Sequence, residues 1–200
     1  MRAVEPVVLA GRYVRLEPLC DAHVPGLRAI RNPELFEYLP DHPDDFDRWW
    51  SAARESRDPL FFAAVVDGAA AGRVAIQRID LGNGVAEIAH ILWGPRMRRT
   101  PASTEAVLLL AEHLFGLGAR RVEWKCDDRN EASKAAARRL GFTFEGVFRQ
   151  HMIVKGRNRD TAWFSVLDGE WPARRAALGA WLDPANFSPS GVQRTRLRPP

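Results

Sequence analysis

Three arginines precede a segment of the chain that could bind a phosphate group. Arg96, Arg98 and Arg99 lie in the short loop between a predicted strand that ends at Trp93 and a predicted helix that begins near Thr100. The free N–H groups and the positive dipole end of a helix N-terminus attract anions, and guanidinium groups suit phosphate oxygens. These residues predict an anion site, but a basic solvated loop before a well-capped helix explains them equally well.

The first residues of that helix decide which backbone amides a phosphate could reach. Thr100 fits the N-cap position, and Pro101 fits the first helical position, where the missing N–H of a proline costs least. The amides of Ala102, Ser103 and Thr104 would then be free to bind an anion.

Cysteine and histidine side chains are further candidates for reactive groups. Cys126 ends a predicted strand and could carry an acyl group, but a small buried hydrophobic residue is the commoner role. His90 alternates with Glu87 along its strand, so we predict a packed histidine on the opposite face. His151 could reach an acceptor pocket. The five histidines lack the paired spacing of metal ligands, and we predict no metal site.

An acidic and aromatic segment follows the first predicted helix. The acids of Asp41–Asp47 are explained most simply as the first turn of a second helix, with Asp44 or Asp45 as its N-cap. Together with Trp49 and Trp50 they could instead border a cationic acceptor.

The elements that position these residues alternate between strands and helices. Asn83 lies in a Gly-Asn-Gly turn that predicts a hairpin before Val85, and the short segment 68–72 predicts another turn. One helix joins the strand that ends at Trp93 to the next strand, which predicts a parallel βαβ crossover in an α/β fold. The predicted strands are Tyr13–Leu19, Phe61–Asp67, Arg73–Asp80, Val85–Trp93, Arg121–Cys126, Phe142–Arg149 and Trp163–Leu167, and the predicted helices are Asp21–Ile30, Thr104–Leu117 and Glu131–Leu140.

Composition places the chain among ordinary globular proteins. It has 200 residues, of which 46% are hydrophobic and 27% charged, and this length is sufficient for a buried core. Its apolar runs are shorter than the about 18 residues that a membrane helix needs. Cys20 and Cys126 are too few for a disulfide framework, so we expect a cytoplasmic protein that is not membrane-bound.

The positive charge is concentrated at the C-terminal end. Lys and Arg number 29 against 25 Asp and Glu, and residues 173–200 carry the whole net charge of +4. Residues 1–172 are neutral overall, which argues against a nucleic-acid partner. We predict one domain over residues 1–172, followed by a short helix at 173–182 and an Arg- and Pro-rich tail that is loosely ordered after Pro184.

Five stretches of the sequence together resemble a known family. They are Val14–Leu19, Ala86–Ile88 leading to Trp93, Thr104–Ala106, Asn130–Ser133 continuing to Leu140–Phe142, and Glu145–Arg149. On these residues the chain resembles the GNAT superfamily of N-acetyltransferases, in the branch that includes the bacterial ribosomal-protein N-terminal acetyltransferases. The similarity runs from about Val14 to Trp171. It implies a mixed, mainly antiparallel sheet with a βαβ crossover at the coenzyme site and helices on both faces.

The resemblance implies acetyl-CoA as the acyl donor and a loop that holds its pyrophosphate. The matching residues for pyrophosphate are Arg98, Arg99, Thr100, Ala102, Ser103 and Thr104. The family loop usually reads Gln/Arg-x-x-Gly-x-Gly/Ala, whereas here the two glycines are replaced by Pro101 and Ser103. Pro101 cannot donate an N–H, so one amide contact to the pyrophosphate is lost, and hydroxyl groups of the loop could compensate.

The resemblance also assigns residues to the rest of the coenzyme and to catalysis. The backbone of Ile91, Leu92 and Trp93 would pair with the pantetheine arm, and Asn130 would bind it while capping a helix. Glu87 matches the position that often serves as general base, although its residue context alone favours a glutamate on the solvent face of a strand. Ser133 matches a serine near the coenzyme sulfur. Ala137 stands where many members carry a tyrosine acid.

The predicted function is an acetyl-CoA-dependent N-acetyltransferase that acts by direct attack of a primary amine on the thioester. The alternative is a non-catalytic sensor or interaction module that binds acyl-CoA. Protein N-termini, amino acids, polyamines and aminoglycosides are all open as acceptors. Homodimers are common in the branch of the family that the chain resembles, so a homodimer is open here as well.

Overall fold

Eight strands form one sheet in the computed structural model, which describes residues 1–198. The strands are β1 (Leu9–Ala10), β2 (Arg15–Pro18), β3 (Leu60–Val66), β4 (Ala69–Asp80), β5 (Val85–Trp93), β6 (Arg121–Asp127), β7 (Thr143–Val154) and β8 (Arg157–Leu167). Their order is β1-β2-β3-β4-β5-β6-β8-β7, and every neighbouring pair is antiparallel except β5 and β6. The predicted mixed α/β fold and its crossover are confirmed.

Helices cover both faces of the sheet. They are α1 (Val24–Arg28), α2 (Phe46–Ala53), α3 (Pro101–Gly116), α4 (Glu131–Arg139) and α5 (Trp171–Trp181). Successive side chains of a strand point to opposite faces. Phe62 of β3 therefore lies in the main core with α3, α4 and α5, while Phe61 and Ala63 contact α1 and α2 on the other face.

Helix α3 is the crossover helix, and it is buried on two sides. Leu110 and Leu114 face the sheet in the main core. Phe115 stacks on Trp171 of α5 with the ring centroids 5.0 Å apart. A helix covered on both sides must be apolar over most of its surface, which explains its weak amphipathic pattern.

The first part of the C-terminal segment packs on the core of the domain. The predicted boundary at residue 172 falls at the start of α5, and Leu178 of that helix lies in the main core. Beyond it, Asn186 accepts a hydrogen bond from the Thr195 amide at 2.8 Å and donates to the Trp181 carbonyl at 2.9 Å. These hydrogen bonds connect the segment after α5 to the end of that helix, and the loose order of the tail stays a prediction.

Two hairpins differ from their predicted bounds because residues with positive φ set the turns. Asp67 and Gly68 have φ of 47° and 76°, so the turn before β4 is shorter than the predicted segment 68–72. Lys155 and Gly156 make a similar turn between β7 and β8, and both strands extend beyond the prediction. The second half of β7 was not predicted as a strand, because apolar residues such as Ile153, which is 80% exposed, break the alternation of apolar and polar residues.

In the part of the chain that the structure describes, no helix has the length and apolar character needed to cross a membrane.

One buried carboxylate fixes the start of the sheet to α3. Glu105 is only 7% exposed, and its two oxygens accept hydrogen bonds from the amides of Arg12, Tyr13 and Val14 at 2.9, 2.6 and 3.0 Å. A Cβ atom at Gly11 would collide with the same carboxylate, so the close approach requires glycine. The glutamate of the Thr104–Ala106 stretch thus has a structural role.

We expect Glu105→Ala to lower the free energy of unfolding by about 3 kcal/mol, because it leaves buried backbone N–H groups without an acceptor. Urea denaturation measures the change. Glu112→Ala is the matched control, because it removes a carboxylate from the same helix that pairs with Arg175 at the surface. Equal losses in the two variants would contradict the assigned role of Glu105.

Candidate functional site

The sheet opens between β5 and β6. These strands pair in parallel only through Val85–Glu87 of β5. The register of β5 against β4 then shifts by one residue at His90, which has φ of 53°. A bulge of this kind bends its strand, so the rest of β5 diverges from β6. Within residues 1–198, the edge of β5 beyond Glu87 that faces β6 has no strand partner.

A cavity of about 420 Å³ occupies this opening and is called the cleft below. Its walls come from both diverging strands, the start of α4, the hairpin of β7 and β8, and the segment 34–40. The polar residues among them are Glu34, Tyr38, Gln77, Glu87, His90, Lys125, Asp127, Asn130, Ser133 and Arg159. Glu87, Ser133, Asn130 and Ile91 of the predicted site therefore line one cavity.

Glu87 lies beside a lysine that the sequence analysis did not single out. Lys125 Nζ is 2.8 Å from Glu87 Oε2, and the two side chains are 10% and 3% exposed. The contact is a buried ion pair, and the exposed Arg78 adds a longer one, with its Nε 3.8 Å from the same oxygen. Burial raises the pKa of Glu87, and the charge of Lys125 lowers it in part.

The prediction that His90 lies on the face opposite Glu87 was wrong. The bulge turns the imidazole into the cleft, where Nε2 is 3.0 Å from Oε1 of Gln77. An amide oxygen can only accept, so Nε2 carries the proton and Nδ1 is left as an acceptor. Burial, followed by the nearby charge of Arg73, lowers the pKa of His90 to about 4. The ring is therefore neutral at physiological pH.

Ser133 has a fixed orientation at the start of α4. The Trp124 indole donates to Ser133 Oγ at 3.0 Å, and the Ser133 amide donates to Asn130 Oδ1 at 3.0 Å. The predicted N-cap role of Asn130 is thereby confirmed. Cys126 is buried nearby, and burial raises the pKa of its thiol, which suits a packed residue better than a nucleophile.

The predicted anion junction has the expected helix start. Thr100 is the N-cap of α3, and Pro101 is its first residue. The hydroxyls of Thr100 and Ser103 donate to the carbonyls of Met97 and Thr100 at 2.8 and 2.9 Å. Thr104 is fully buried, and its hydroxyl accepts from Arg139 at 2.8 Å. These hydroxyls are engaged within the protein, so an anion would depend on backbone amides and arginines.

Arg98 and Arg99 line a second cavity of about 440 Å³ beside the end of α1. Leu35 lines this cavity as well as the cleft, so the two adjoin. Neither arginine has an acidic partner within 4.0 Å among the described residues. Arg96 lies apart from them and pairs with Asp67 at 2.9 Å.

Other predicted candidates lie outside the cleft. Leu92 is buried against α1, and Trp93 packs on the main core, so only their backbone could contact a ligand in the cleft. His151 Nδ1 is 3.0 Å from the Thr161 hydroxyl. Asp41 binds Arg73 at 2.6 Å, and Arg73 also lies over the Trp49 ring.

The acids at 41–47 contact arginines and a helix start of the same chain. Asp44 and Asp47 pair with arginines near α1, and Asp45 is the N-cap of α2. Across residues 1–198, no group of three or more His, Cys, Asp or Glu side chains is arranged to hold a metal ion.

Comparison with known proteins identifies the family. Residues 14–143 match the Acetyltransferase (GNAT) domain. The chain belongs to the GNAT acetyltransferases. A GCN5-related N-acetyltransferase from Brucella melitensis shares 49% identity over 98% of this chain and 94% of its own, with a TM-score of 0.95.

More distant GNAT proteins differ in how much of the chain they match. YdaF of Bacillus subtilis, whose name assigns it provisionally to the ribosomal N-acetyltransferases, is 29% identical over 54% of this chain. The match spans 60% of the length of that relative. RimJ of Mycobacterium smegmatis, solved in complex with CoA-disulfide, shares the fold with a TM-score of 0.73 at 23% identity, over 86% of this chain and 90% of its own.

We expect Lys125→Met to lower the free energy of unfolding by about 3 kcal/mol near neutral pH, because it leaves the buried Glu87 with only a longer contact, 3.8 Å to Nε of the exposed Arg78. A carboxyl whose folded pKa is raised makes the folded state bind more protons than the unfolded state. Stability therefore falls as pH rises above the ordinary value of 4.5. The deficit of the variant should be smaller at about pH 5 than at about pH 8.

Urea denaturation at the two pH values measures this deficit. Lys134→Met is the control, because it removes a lysine that pairs with Asp128 and Glu131 on α4. A deficit of Lys125→Met that does not depend on pH would contradict the pairing with Glu87.

Proposed function

We propose that this GNAT protein transfers an acetyl group from acetyl-CoA to a primary amine. The observation that carries the proposal is the free edge of β5 beside a cleft lined by Glu87, His90 and Ser133. A free strand edge offers backbone groups to an extended, amide-containing ligand, and the pantetheine arm of CoA is such a ligand. Family membership supports the proposal, and the CoA complex of the RimJ neighbour is compatible with it.

On the donor side, backbone groups of Ile91–Trp93 and the amide of Asn130 would hold the pantetheine arm. Arg98 and Arg99 would bind the pyrophosphate together with the first amides of α3. Their lack of acidic partners leaves both guanidinium groups available. Acetyl-CoA, when bound, supplies the acetyl group as a thioester.

On the acceptor side, the amine must lose a proton to become nucleophilic. An α-amine has a pKa of ~8 and needs little help, whereas a lysine amine has a pKa of ~10.4 and needs more. Glu87 would take this proton directly or through a water molecule, because a carboxylate keeps further lone pairs besides the one that faces Lys125. Nδ1 of His90 is a second acceptor on the same wall.

Ser133 would stabilise the departing thiolate. The Trp124 indole already donates to its oxygen, so the hydroxyl proton is free to point elsewhere. A positioned donor of this kind lowers the cost of the charge that develops on sulfur.

The acceptor could be a small molecule or a protein N-terminus, and both present a primary amine. The name of YdaF points to ribosomal proteins for that relative. We also propose a cytoplasmic location, which two free cysteines support.

We expect Glu87→Gln to lower kcat by about a hundredfold, because it removes a proton acceptor from the cleft. Thiol release from acetyl-CoA in the presence of an amine panel measures the rate. Binding of acetyl-CoA, measured by calorimetry, should change by less than about twofold, because Glu87 is assigned to the amine and not to the coenzyme.

Glu112→Gln is the control for this experiment. Glu112 pairs with Arg175 at the surface of α3 and does not line the cleft. An unchanged kcat in Glu87→Gln would remove Glu87 from the mechanism. Saturable binding of acetyl-CoA without thiol release on any amine would favour the alternative function, a sensor of acyl-CoA.

We expect the double variant Arg98→Gln/Arg99→Gln to raise the KM for acetyl-CoA by about tenfold or more, with a smaller effect on kcat, because two charge-assisted contacts are lost. Arg96→Gln provides the control, since Arg96 shares the loop but pairs with Asp67. If Arg96→Gln raised the KM as much as the double variant, the pyrophosphate site would have been placed wrongly.

A further inference from the structure

One cation in the cleft has no direct salt bridge among the described residues. Arg159 of β8 lines the cleft, and no acidic side chain of residues 1–198 lies within 4.0 Å of its guanidinium group. Its Nε is buried and has no hydrogen-bond partner. A buried N–H without an acceptor is costly, so such a group points to a ligand that completes it.

The neighbouring carboxylates are already occupied. Asp127 accepts three hydrogen bonds from Arg129, two at 2.9 Å and one at 3.1 Å. Glu87 is paired with Lys125. Of the two cations that line the cleft, Lys125 is paired with Glu87, and Arg159 forms no direct salt bridge among the described residues.

The charge of Arg159 acts inside the cleft. It is among the causes, after burial, that lower the pKa of His90, and it opposes the effect of burial on the Cys126 thiol. Arg159 lines the same cavity as residues of β5 and β6, where an acceptor would bind.

We propose that the amine acceptor also carries a carboxylate, and that Arg159 binds this carboxylate while the amine faces Glu87 and His90. The proposal rests on the proposed function and narrows its substrate to amino acids. A guanidinium group presents paired N–H donors that match the two oxygens of a carboxylate.

The shape of the cleft favours a small acceptor with an apolar side chain. Lys155, at the tip of the β7–β8 hairpin, donates to the Phe36 carbonyl at 2.7 Å and ties the hairpin to the segment 34–40. Leu39 and Met152 line the cleft on this side. A volume of about 420 Å³ lies within the range of small-molecule sites.

The test uses three amines that share the same benzyl side chain: phenylalanine, phenylalaninamide and 2-phenylethylamine. They carry a carboxylate, a neutral amide and no carbonyl group, respectively. Thiol release is measured with each, and kcat/KM is expressed per neutral amine to remove differences in amine pKa. The wild type should prefer phenylalanine to phenylalaninamide by about tenfold or more, as expected for a charge-assisted contact that the amide cannot make.

Variants assign this preference to Arg159. Arg159→Gln should abolish it, Arg159→Lys should retain part of it, and the KM for acetyl-CoA should change by less than about twofold in both. The matched control is Arg149→Gln, which removes an exposed arginine of β7 that does not line the cleft.

Binding of N-acetylphenylalanine, measured by calorimetry, provides a readout that does not need turnover. It should be about tenfold weaker in Arg159→Gln, since the product keeps the carboxylate. If no amine releases thiol but this binding depends on Arg159, the proposed function fails and the carboxylate site stands.

Three results would overturn the carboxylate site. In the first, phenylalaninamide or 2-phenylethylamine is used as well as phenylalanine by the wild type. In the second, Arg159→Gln raises only the KM for acetyl-CoA, which would assign the arginine to the donor. In the third, N-acetylphenylalanine fails to bind or binds Arg159→Gln as tightly as the wild type.

Discussion

The candidate site depends on one interruption of regular strand pairing, the bulge at His90. A β5 that continued to pair with β6 beyond Glu87 would leave no cleft and no free strand edge. A non-glycine residue with positive φ costs about 1–3 kcal/mol, and the surrounding contacts must offset it. Gln77 binds the imidazole, and the Phe61 ring lies 5.1 Å from it. The contacts that stabilise the bulge therefore also keep β5 and β6 apart at the cleft.

An open sheet brings polar groups into the interior, and each needs a partner. The cleft satisfies this requirement through short internal pairs: Glu87 with Lys125, Asp127 with Arg129, and Ser133 with Trp124. These pairs fix the side chains before any ligand binds, which lowers the cost of ordering them during a reaction. Several buried polar atoms of the described residues lack a hydrogen-bond partner, and the Nε of Arg159 is the one in the cleft that belongs to a cation with no acid within 4.0 Å.

Local signals in the sequence predicted the local parts of the site. Thr100 and Pro101 at the start of α3, Asn130 as the cap of α4 and the strand Val85–Trp93 depend on a few neighbouring residues, and the structure confirms each. His90 could not be placed correctly, because the bulge arises from the register between β4 and β5. The contact between Lys125 and Glu87 depends on the parallel register of β5 and β6. Glu87 lies opposite Glu123 in that register, and residue 125 lies on the same face of β6 as Glu123, so Lys125 is on the face of Glu87. The roles assigned to the site residues remain predictions.

The sequence at the start of α3 departs from the family pattern, and this departure changes which groups are available to bind pyrophosphate. Pro101 has no N–H, and the nearby hydroxyls are engaged within the protein, so the junction offers fewer neutral donors than a glycine-rich loop. On the proposed function, pyrophosphate binding then depends more on the charges of Arg98 and Arg99. Interactions of exposed charges are screened by salt over about 8–10 Å at physiological ionic strength, whereas close amide contacts are screened less. Coenzyme affinity in this protein should therefore depend more on ionic strength than it would with a glycine-rich loop.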